Sequence, residues 1–126
     1  MNKDILINND LHFMSFSKLD TINLFTFKPY NFRFNLISEE EINSNFNKLQ
    51  ESLKYNFRKI VKGNQTHTNN VEVVTEENIN AEFKDTDGLI TNLKNVALIT
   101  NLADCQGILL YDKEKQGLIV LDYKTN

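Results

Sequence analysis

The sequence is poor in the residues from which several common functional sites are built. Its 126 residues include four glycines and one proline, too few to write a glycine-rich phosphate loop or a dinucleotide-binding fingerprint. One cysteine cannot form an internal disulfide, which favours a reducing, cytoplasmic setting. No stretch approaches the ~20 apolar residues of a membrane-spanning helix. The first apolar run after Met1 is also too short for a signal peptide.

The charge balance excludes a further class of function. A formal net charge of -3 offers no basic surface to phosphate backbones, which argues against nucleic-acid binding. Hydrophobic residues make up 40% and charged residues 25%, which is ordinary for a soluble globular protein. The length suits one modest hydrophobic core. We therefore expect residues 1–126 to form one domain or part of one.

Hydrophobic periodicity predicts an α+β domain dominated by sheet. A helix is predicted from Ser38 to about Tyr55, because Ser38 and Glu41 have the spacing of a capping box. Its apolar stripe consists of Ile42, Phe46, Leu49 and Leu53. Strands are predicted at residues 5–7, 12–16, 22–27, 32–36, 58–61, 71–74, 96–100, 108–111 and 118–121. The charged turn 112–116 should join the last two strands in a hairpin.

The scarcest reactive side chains are the cysteine and the two histidines. Cys105 follows an apolar strand, where folds often expose reactive groups, but a lone cysteine is also commonly a small buried hydrophobe. His67 lies in a polar loop and is either a metal ligand or proton carrier, or a surface histidine without a role. His12 reads as a half-exposed strand residue. Only tertiary folding can bring Cys105 and His67 together.

A thiolate and an imidazole that meet in a fold can bind a d-block metal, usually zinc, or form a nucleophile–base pair. Asp104 stands next to Cys105, and an acidic neighbour disfavours a free thiolate. This favours metal coordination over a cysteine-hydrolase mechanism. A second acidic segment, Asp85-Thr86-Asp87-Gly88, lacks the further ligands of an EF-hand. We expect a tight turn there, with Gly88 in the left-handed conformation.

Three segments, in order along the chain, resemble the motifs of one family. Gln65-Thr66-His67 resembles its Gln-x-His motif, and Asp87-Gly88-Leu89-Ile90-Thr91 resembles its Asp-Ala/Gly-Leu-Val-Thr segment. Residues 97–112 resemble its Thr-Ala-Asp-Cys strand and turn. The family is that of the laccase-domain proteins, also called multicopper polyphenol oxidase-like, YfiH-like or peptidoglycan-editing-factor proteins. The resemblance is clearest over residues 65–121.

The resemblance implies a mixed, sheet-dominated α/β sandwich with a metal site, holding zinc rather than copper. It implies phosphorolysis of purine nucleosides and deamination of adenosine, with a purine nucleoside and phosphate as substrates. Carried over by position, His67 would be the first metal ligand and Cys105 the second. The third ligand, a histidine in the family, falls on Asp122, whose carboxylate oxygen can also bind zinc.

The Gly-Trp-Arg stretch that follows the third ligand in the family is absent, so the resemblance also implies a truncated domain. Three functions therefore remain open: an active metal-dependent purine-nucleoside enzyme, a catalytically silent remnant, and a strand-pairing interaction module. The module follows from strand 118–121, which has no later partner in the sequence. We expect that strand to be an exposed edge through which copies of the chain self-associate.

Overall fold

A computed structural model describes residues 5–8, 13–16, 18, 21–26, 37–101, 106–115 and 117–123; for residues 5, 14, 106, 107 and 118–123 it describes the backbone alone. Within these ranges the protein has nine strands and one helix, so the predicted sheet-dominated α+β class is confirmed. The contacts divide the chain into two compact units, Met1–Asn56 and Phe57–Asn126. No helix in the described ranges is long and apolar enough to cross a membrane.

The first unit contains a three-stranded antiparallel sheet. Its strands, in the order β1-β2-β3, are β1 (Ile5–Asn8), β2 (Phe13–Phe16) and β3 (Phe25–Thr26). The buried amide of Asn23 accepts from the backbone N–H of Phe16 at 2.7 Å and donates to the carbonyl of Phe16 at 3.1 Å. These two hydrogen bonds join the segment between β2 and β3 to the last residue of β2. The predicted strands 5–7 and 12–16 are thus confirmed, whereas the predicted strand 22–27 is reduced to Phe25–Thr26. Residues 32–36 and His12 lie outside the described residues.

The predicted helix is confirmed as α1 (Glu39–Leu53). The Ser38 hydroxyl accepts from the N–H of Glu41 at 3.2 Å, which satisfies one of the free donors of the first turn. Ile42 is buried, and the other three members of the predicted stripe are half-buried. The helix ends slightly earlier than expected because Lys54 adopts a left-handed conformation with φ 54°, a common helix stop.

The second unit contains a two-stranded parallel sheet and a four-stranded mixed sheet. Its strands are β4 (Lys59–Lys62), β5 (Val71–Val73), β6 (Gly88–Thr91), β7 (Val96–Ile99), β8 (Gln106–Asp112) and β9 (Gly117–Tyr123). β4 pairs with β7. The larger sheet has the order β5-β6-β9-β8, with β5 parallel to β6 and the other pairs antiparallel. The predicted hairpin is confirmed as β8–β9.

The expectation that the C-terminal strand is an exposed edge is wrong. β9 lies inside the sheet, because Leu121 pairs with Gly88 of β6 on one side and with Ile108 of β8 on the other. The partner β6 was not predicted as a strand, since only Leu89 and Ile90 in it are apolar. The edges of this sheet are β5 and β8. Self-association through a free edge of β9 therefore has no structural basis.

The hydrophobic core of the second unit lies between the two sheets and the segment that follows β5. Its buried members are Val61, Val74, Ile79, Phe83, Leu89 and Val96. Next to this core the chain leaves β4 at Gly63, where an added Cβ would lie 2.5 Å from the carbonyl oxygen of Thr86. This approach requires glycine, and it brings the loop after β4 against the segment that leads into β6.

Candidate functional site

The predicted ligand His67 lies in the loop between β4 and β5, and its side chain is exposed. Its backbone is left-handed, with φ 61°, a conformation that turns successive N–H groups towards one acceptor. The N–H groups of Thr66 and His67 donate to Asp87 Oδ1 at 2.9 and 2.8 Å. The N–H and hydroxyl of Thr68 both donate to Asp87 Oδ2, the hydroxyl at 2.8 Å. One carboxylate therefore fixes the backbone of the whole loop.

Asp87 is ionised, and its carboxylate holds the histidine loop through hydrogen bonds. Its side chain is only 4% exposed, and this burial acts to raise its pKa. The hydroxyl of Thr68 and the backbone N–H groups of His67, Thr68 and Thr66 outweigh that effect, so the pKa of Asp87 lies below its ordinary value. Both carboxylate oxygens are engaged by donors of the chain itself, which supports the rejection of a calcium-loop role.

The predicted left-handed turn at Gly88 is wrong. Gly88 is the first residue of β6, and no described glycine has a positive φ. Asp85 is the left-handed residue instead, with φ 52°, a conformation that aspartate tolerates because its short side chain bonds locally. Its carboxylate accepts from the Thr66 hydroxyl and from Asn70 Nδ2, the latter at 2.8 Å. Segment 85–88 is thus hydrogen-bonded to the histidine loop through both of its aspartates.

Gln65 connects the histidine loop to the chain that leads towards Cys105. Its side-chain oxygen accepts from the N–H of Asn101 at 2.8 Å, and its side-chain nitrogen donates to the carbonyl of Asn101 at 2.9 Å. Asn101 follows β7 and precedes Cys105 by a few residues. Cys105 itself lies outside the described residues. The paired hydrogen bonds join the histidine loop to the residue that follows β7 by two positions.

The strand directions place the same segments at one end of the four-stranded sheet. β5 and β6 begin at this end, directly after the histidine loop and Asp87. β9 runs antiparallel and finishes there, while β8 begins there at Gln106, the residue after Cys105. The backbone of Asp122 pairs with Gly107. The histidine loop, the start of β8 and the end of β9 therefore converge on one sheet end.

A complete metal centre is not visible in the described part of the chain. Among the described side chains, no three of the His, Cys, Asp and Glu type are grouped to hold an ion. Of the predicted ligands, His67 alone has a described side chain, since only the backbone of Asp122 is described. Joint coordination by His67, Cys105 and Asp122 stays a prediction.

A depression beside the loop is too small for a nucleoside. It has no enclosed space that would hold even a water molecule, whereas ligand pockets have roughly 300–1,000 Å³. The lining residues are Gly63, Gln65, Thr86, Asp87, Leu89, Ile99 and Thr100.

Sequence reasoning missed the two residues that hold the loop, Asp87 and Gln65. Both belong to the motifs that carry the family resemblance, yet the pattern alone gave them no role. The available signal for the role of Asp87 was its position immediately before an apolar segment, in a chain that also has a polar loop with several N–H donors. It is a weak signal, because 20 or more positions separate Asp87 from Thr66 and His67.

The strands and the single helix in the described ranges define a sheet-dominated α+β protein, and comparison with known proteins defines its family. Residues 25–120 match the family model described as multi-copper polyphenol oxidoreductase laccase. The chain therefore belongs to this family, and the resemblance in the motifs is confirmed. The family's own description names copper, so the family is associated with a metal.

Relatives of known name or structure extend the comparison. A purine nucleoside phosphorylase of Borreliella burgdorferi is 36% identical over 107 residues, which are 83% of this chain and 42% of the relative. The hypothetical protein YfiH of Bacillus licheniformis aligns with TM-score 0.57 and 26% identity over 68% of this chain and 35% of its own. YlmD of Geobacillus stearothermophilus aligns with TM-score 0.59 and 21% identity over 67% and 34%. The chain thus spans less than half the length of these relatives.

Proposed function

We propose that this chain carries the metal-binding part of a purine nucleoside phosphorylase of the laccase-domain family. In this proposal zinc is held by His67 and Cys105, with Asp122 as the third ligand. The observation that carries it is the convergence of three segments at one sheet end: the His67 loop, the start of β8 and the end of β9. The Gln65–Asn101 hydrogen bonds support the same convergence.

The chemistry of the proposed donor set fits zinc. Imidazole nitrogen, thiolate sulfur and carboxylate oxygen are all common zinc ligands, and three protein ligands leave the fourth position to water or substrate, as in catalytic sites. Bound zinc would supply a Lewis acid and an activated water. The contribution of this chain is positional. The hydrogen bonds of Asp87 hold the His67 backbone before any ion binds, which lowers the entropy cost of organising the site.

The substrates proposed are a purine nucleoside and inorganic phosphate, on the strength of the relative's name. In phosphorolysis a phosphate oxygen bonds to the anomeric carbon of the ribose, the glycosidic C–N bond breaks, and the purine leaves with a proton. Adenosine deamination is a second reaction in the proposal, in which water replaces the exocyclic amine and ammonia leaves. A cytoplasmic location is part of the proposal, because reducing conditions keep the single thiol available.

The alternative is a catalytically silent relative that keeps the scaffold of the site. One observation favours it: the chain covers 42% of the length of the phosphorylase relative. In this alternative the chain binds less than one zinc per molecule and turns over no nucleoside.

The decisive experiment measures the zinc content of the purified chain by mass spectrometry, beside its His67→Ala and Cys105→Ser variants. One zinc per chain is expected in the unaltered protein, with loss of most of it in both variants. His12→Ala is the matched control, since it removes the only other histidine, and it should retain the metal. Zinc that remains in both His67→Ala and Cys105→Ser would refute the proposed ligands.

A second assay separates the active enzyme from the silent relative. Hypoxanthine released from inosine is followed with and without phosphate, and inosine formed from adenosine is followed in parallel. Phosphate-dependent release that is lost in His67→Ala supports the phosphorylase. Less than one zinc per chain, together with no turnover of either nucleoside, would support the silent relative.

A further inference from the structure

Asp87 and Gly88 form the one Asp-Gly pair in the sequence, which contains no Asn-Gly pair. In such a pair the backbone nitrogen of the glycine can attack the carboxyl carbon of the aspartate, because glycine has no Cβ to hinder the approach. The product is a cyclic succinimide. Asp85 is followed instead by Thr86, whose stiff β-branched side chain crowds the same attack. Residue type alone therefore singles out Asp87 for this chemistry.

The rearrangement of an Asp-Gly pair has two steps, and water is its only co-reactant. The Gly88 nitrogen bonds to Asp87 Cγ and loses its proton, and one carboxyl oxygen leaves as water. Water then attacks a carbonyl carbon of the ring. Attack at the main-chain carbonyl breaks the original peptide bond and leaves an isoaspartyl linkage, in which the main chain runs through Cβ and Cγ of Asp87.

In the folded chain both reacting groups are engaged by the histidine loop between β4 and β5. The two carboxylate oxygens of Asp87 accept from three successive N–H groups and one hydroxyl of this loop. The Gly88 N–H donates to the carbonyl of Asn70, in the same loop, at 3.2 Å. Asp87 and Gly88 are also both buried. Attack would require the Gly88 nitrogen to leave Asn70 and a carboxylate oxygen to leave its donors, so the closed loop opposes it.

The histidine loop can open without unfolding of the hydrophobic core. The side chains of residues 66–70 are all exposed, and none of them belongs to the buried core cluster of the second unit. Polar bonds to segment 85–88 hold the loop instead. Segments with few buried apolar contacts open at a lower free energy than the whole domain. Opening of this loop releases the carboxylate and the attacking nitrogen together.

We propose that Asp87-Gly88 is a site of isoaspartate formation that the closed histidine loop keeps unreactive, and that the modification proceeds through opening of the loop. The isoaspartyl linkage adds one carbon to the main chain where β6 begins, which disturbs the register of β6 with β5 and β9. It also takes Cγ of Asp87 into the main chain, so the loop loses the acceptor that fixes its backbone. A reversible opening thereby becomes a permanent release of the loop.

The first test incubates the chain in water enriched in heavy oxygen, because ring hydrolysis transfers one solvent oxygen to the product. Trypsin releases residues 85–94, which lie between Lys84 and the cleavage site after Lys94, and fragmentation in the mass spectrometer assigns the label to Asp87 or Asp85. In concentrated urea we expect label and isoaspartate at Asp87, formed at least about tenfold faster than in the folded chain. Asp85 is the internal control and should stay unlabelled. Equal rates in the folded and unfolded chains, or no label at Asp87 in urea, would overturn the proposal.

A pair of variants tests whether the loop, and not the whole fold, provides the protection. Thr68→Val removes the hydroxyl that donates to Asp87 Oδ2 at 2.8 Å and keeps the backbone N–H. Loss of one hydrogen bond to a charged group corresponds to at least about tenfold in an equilibrium constant. We therefore expect isoaspartate to form roughly tenfold faster in the folded variant and at an unchanged rate in urea. Hydrogen exchange at the N–H groups of Thr66 and His67 should rise by the same factor.

Val96→Ala is the control for a loss of global stability. It shortens a side chain of the buried core, and its position is at the end of β7 opposite to the one that meets the loop. The folded rate of isoaspartate formation should therefore stay nearly unchanged in this variant. Equal acceleration by Val96→Ala and Thr68→Val would show that the modification requires global unfolding and would overturn the proposal. A folded rate that Thr68→Val leaves unchanged would overturn it as well.

Discussion

Replacing Asp87 with asparagine keeps the shape of the buried side chain and removes its charge. The carboxylate accepts hydrogen bonds from the N–H groups of Thr66, His67 and Thr68 and from the Thr68 hydroxyl. All four are donors in this arrangement, and an asparagine side chain has only one acceptor oxygen. Its NH₂ group must therefore face at least one backbone N–H.

The magnitude follows from the bonds lost. One buried N–H without an acceptor costs roughly 1–3 kcal/mol, and a neutral acceptor binds its donors more weakly than a carboxylate does. We expect Asp87→Asn to lower the free energy of unfolding by about 2–4 kcal/mol, a large fraction of the 5–15 kcal/mol typical of a domain. The assay is urea unfolding at pH 7, followed by circular dichroism.

Asp85→Asn is the matched control for this prediction. Asp85 lies two residues away, is exposed, and bonds the Thr66 hydroxyl and the Asn70 amide. Asparagine also tolerates its left-handed backbone, so we expect a loss below about 1 kcal/mol. Equal losses for Asp87→Asn and Asp85→Asn would refute the reasoning, because they would show that burial and donor number do not determine the effect.

Three further predictions follow from the same geometry. Gly63→Ala should lower the free energy of unfolding in urea by about 1–3 kcal/mol, because its Cβ would lie 2.5 Å from the Thr86 carbonyl oxygen. Gly117→Ala should lower it less, because the nearest atom to its Cβ would lie at 4.0 Å. Equal losses for the two variants would contradict the clash at Gly63. The pKa of Asp87 is lowered in the folded chain, so the unfolded chain binds the proton more tightly. The stabilisation by Asp87 should therefore be complete above the unfolded pKa of about 3.9. It should be lost as the pH falls through the folded pKa. The difference in unfolding free energy between the unaltered chain and Asp87→Asn should then shrink between pH 5 and 3 (a range set by about one unit on either side of that value), and a difference that grows on acidification would contradict the assignment. Asp122→His restores the family's residue and should tighten zinc binding in a competition titration with a chelating dye, whereas unchanged affinity would remove Asp122 from the ligand set.

Much of the secondary structure could be predicted because its signals are local. Ser38 caps α1 through a bond to the N–H three residues later, and the hairpin turn is closed by Asp112, whose side chain accepts from the N–H groups of Glu114 and Lys115 at 3.0 and 3.2 Å. The strand β6 escaped prediction because a short apolar pair gives no clear period. Its identity as a strand depends on its pairing with β5 and β9, which are distant in the chain.

The candidate site could be predicted only in its residue types. His67 stood out because histidine is rare here, and its neighbour Gln65 stood out only as part of a motif. The exchange of hydrogen bonds between Gln65 and Asn101 spans 36 positions. No pattern in a single sequence indicates such a contact, since Gln65 bonds the backbone N–H and carbonyl of Asn101, and almost every residue of the chain carries those two groups.

The amino-acid sequence by itself determined the helix and its cap, most of the strand segments and the motifs that place the chain in its family. These features depend on groups within a few residues of one another, or on residue identity alone. The tertiary structure decided that β9 lies inside its sheet and that Asp87 anchors the His67 loop. Those outcomes depend on strand order and register, which arise when distant segments compete for backbone partners and buried surface.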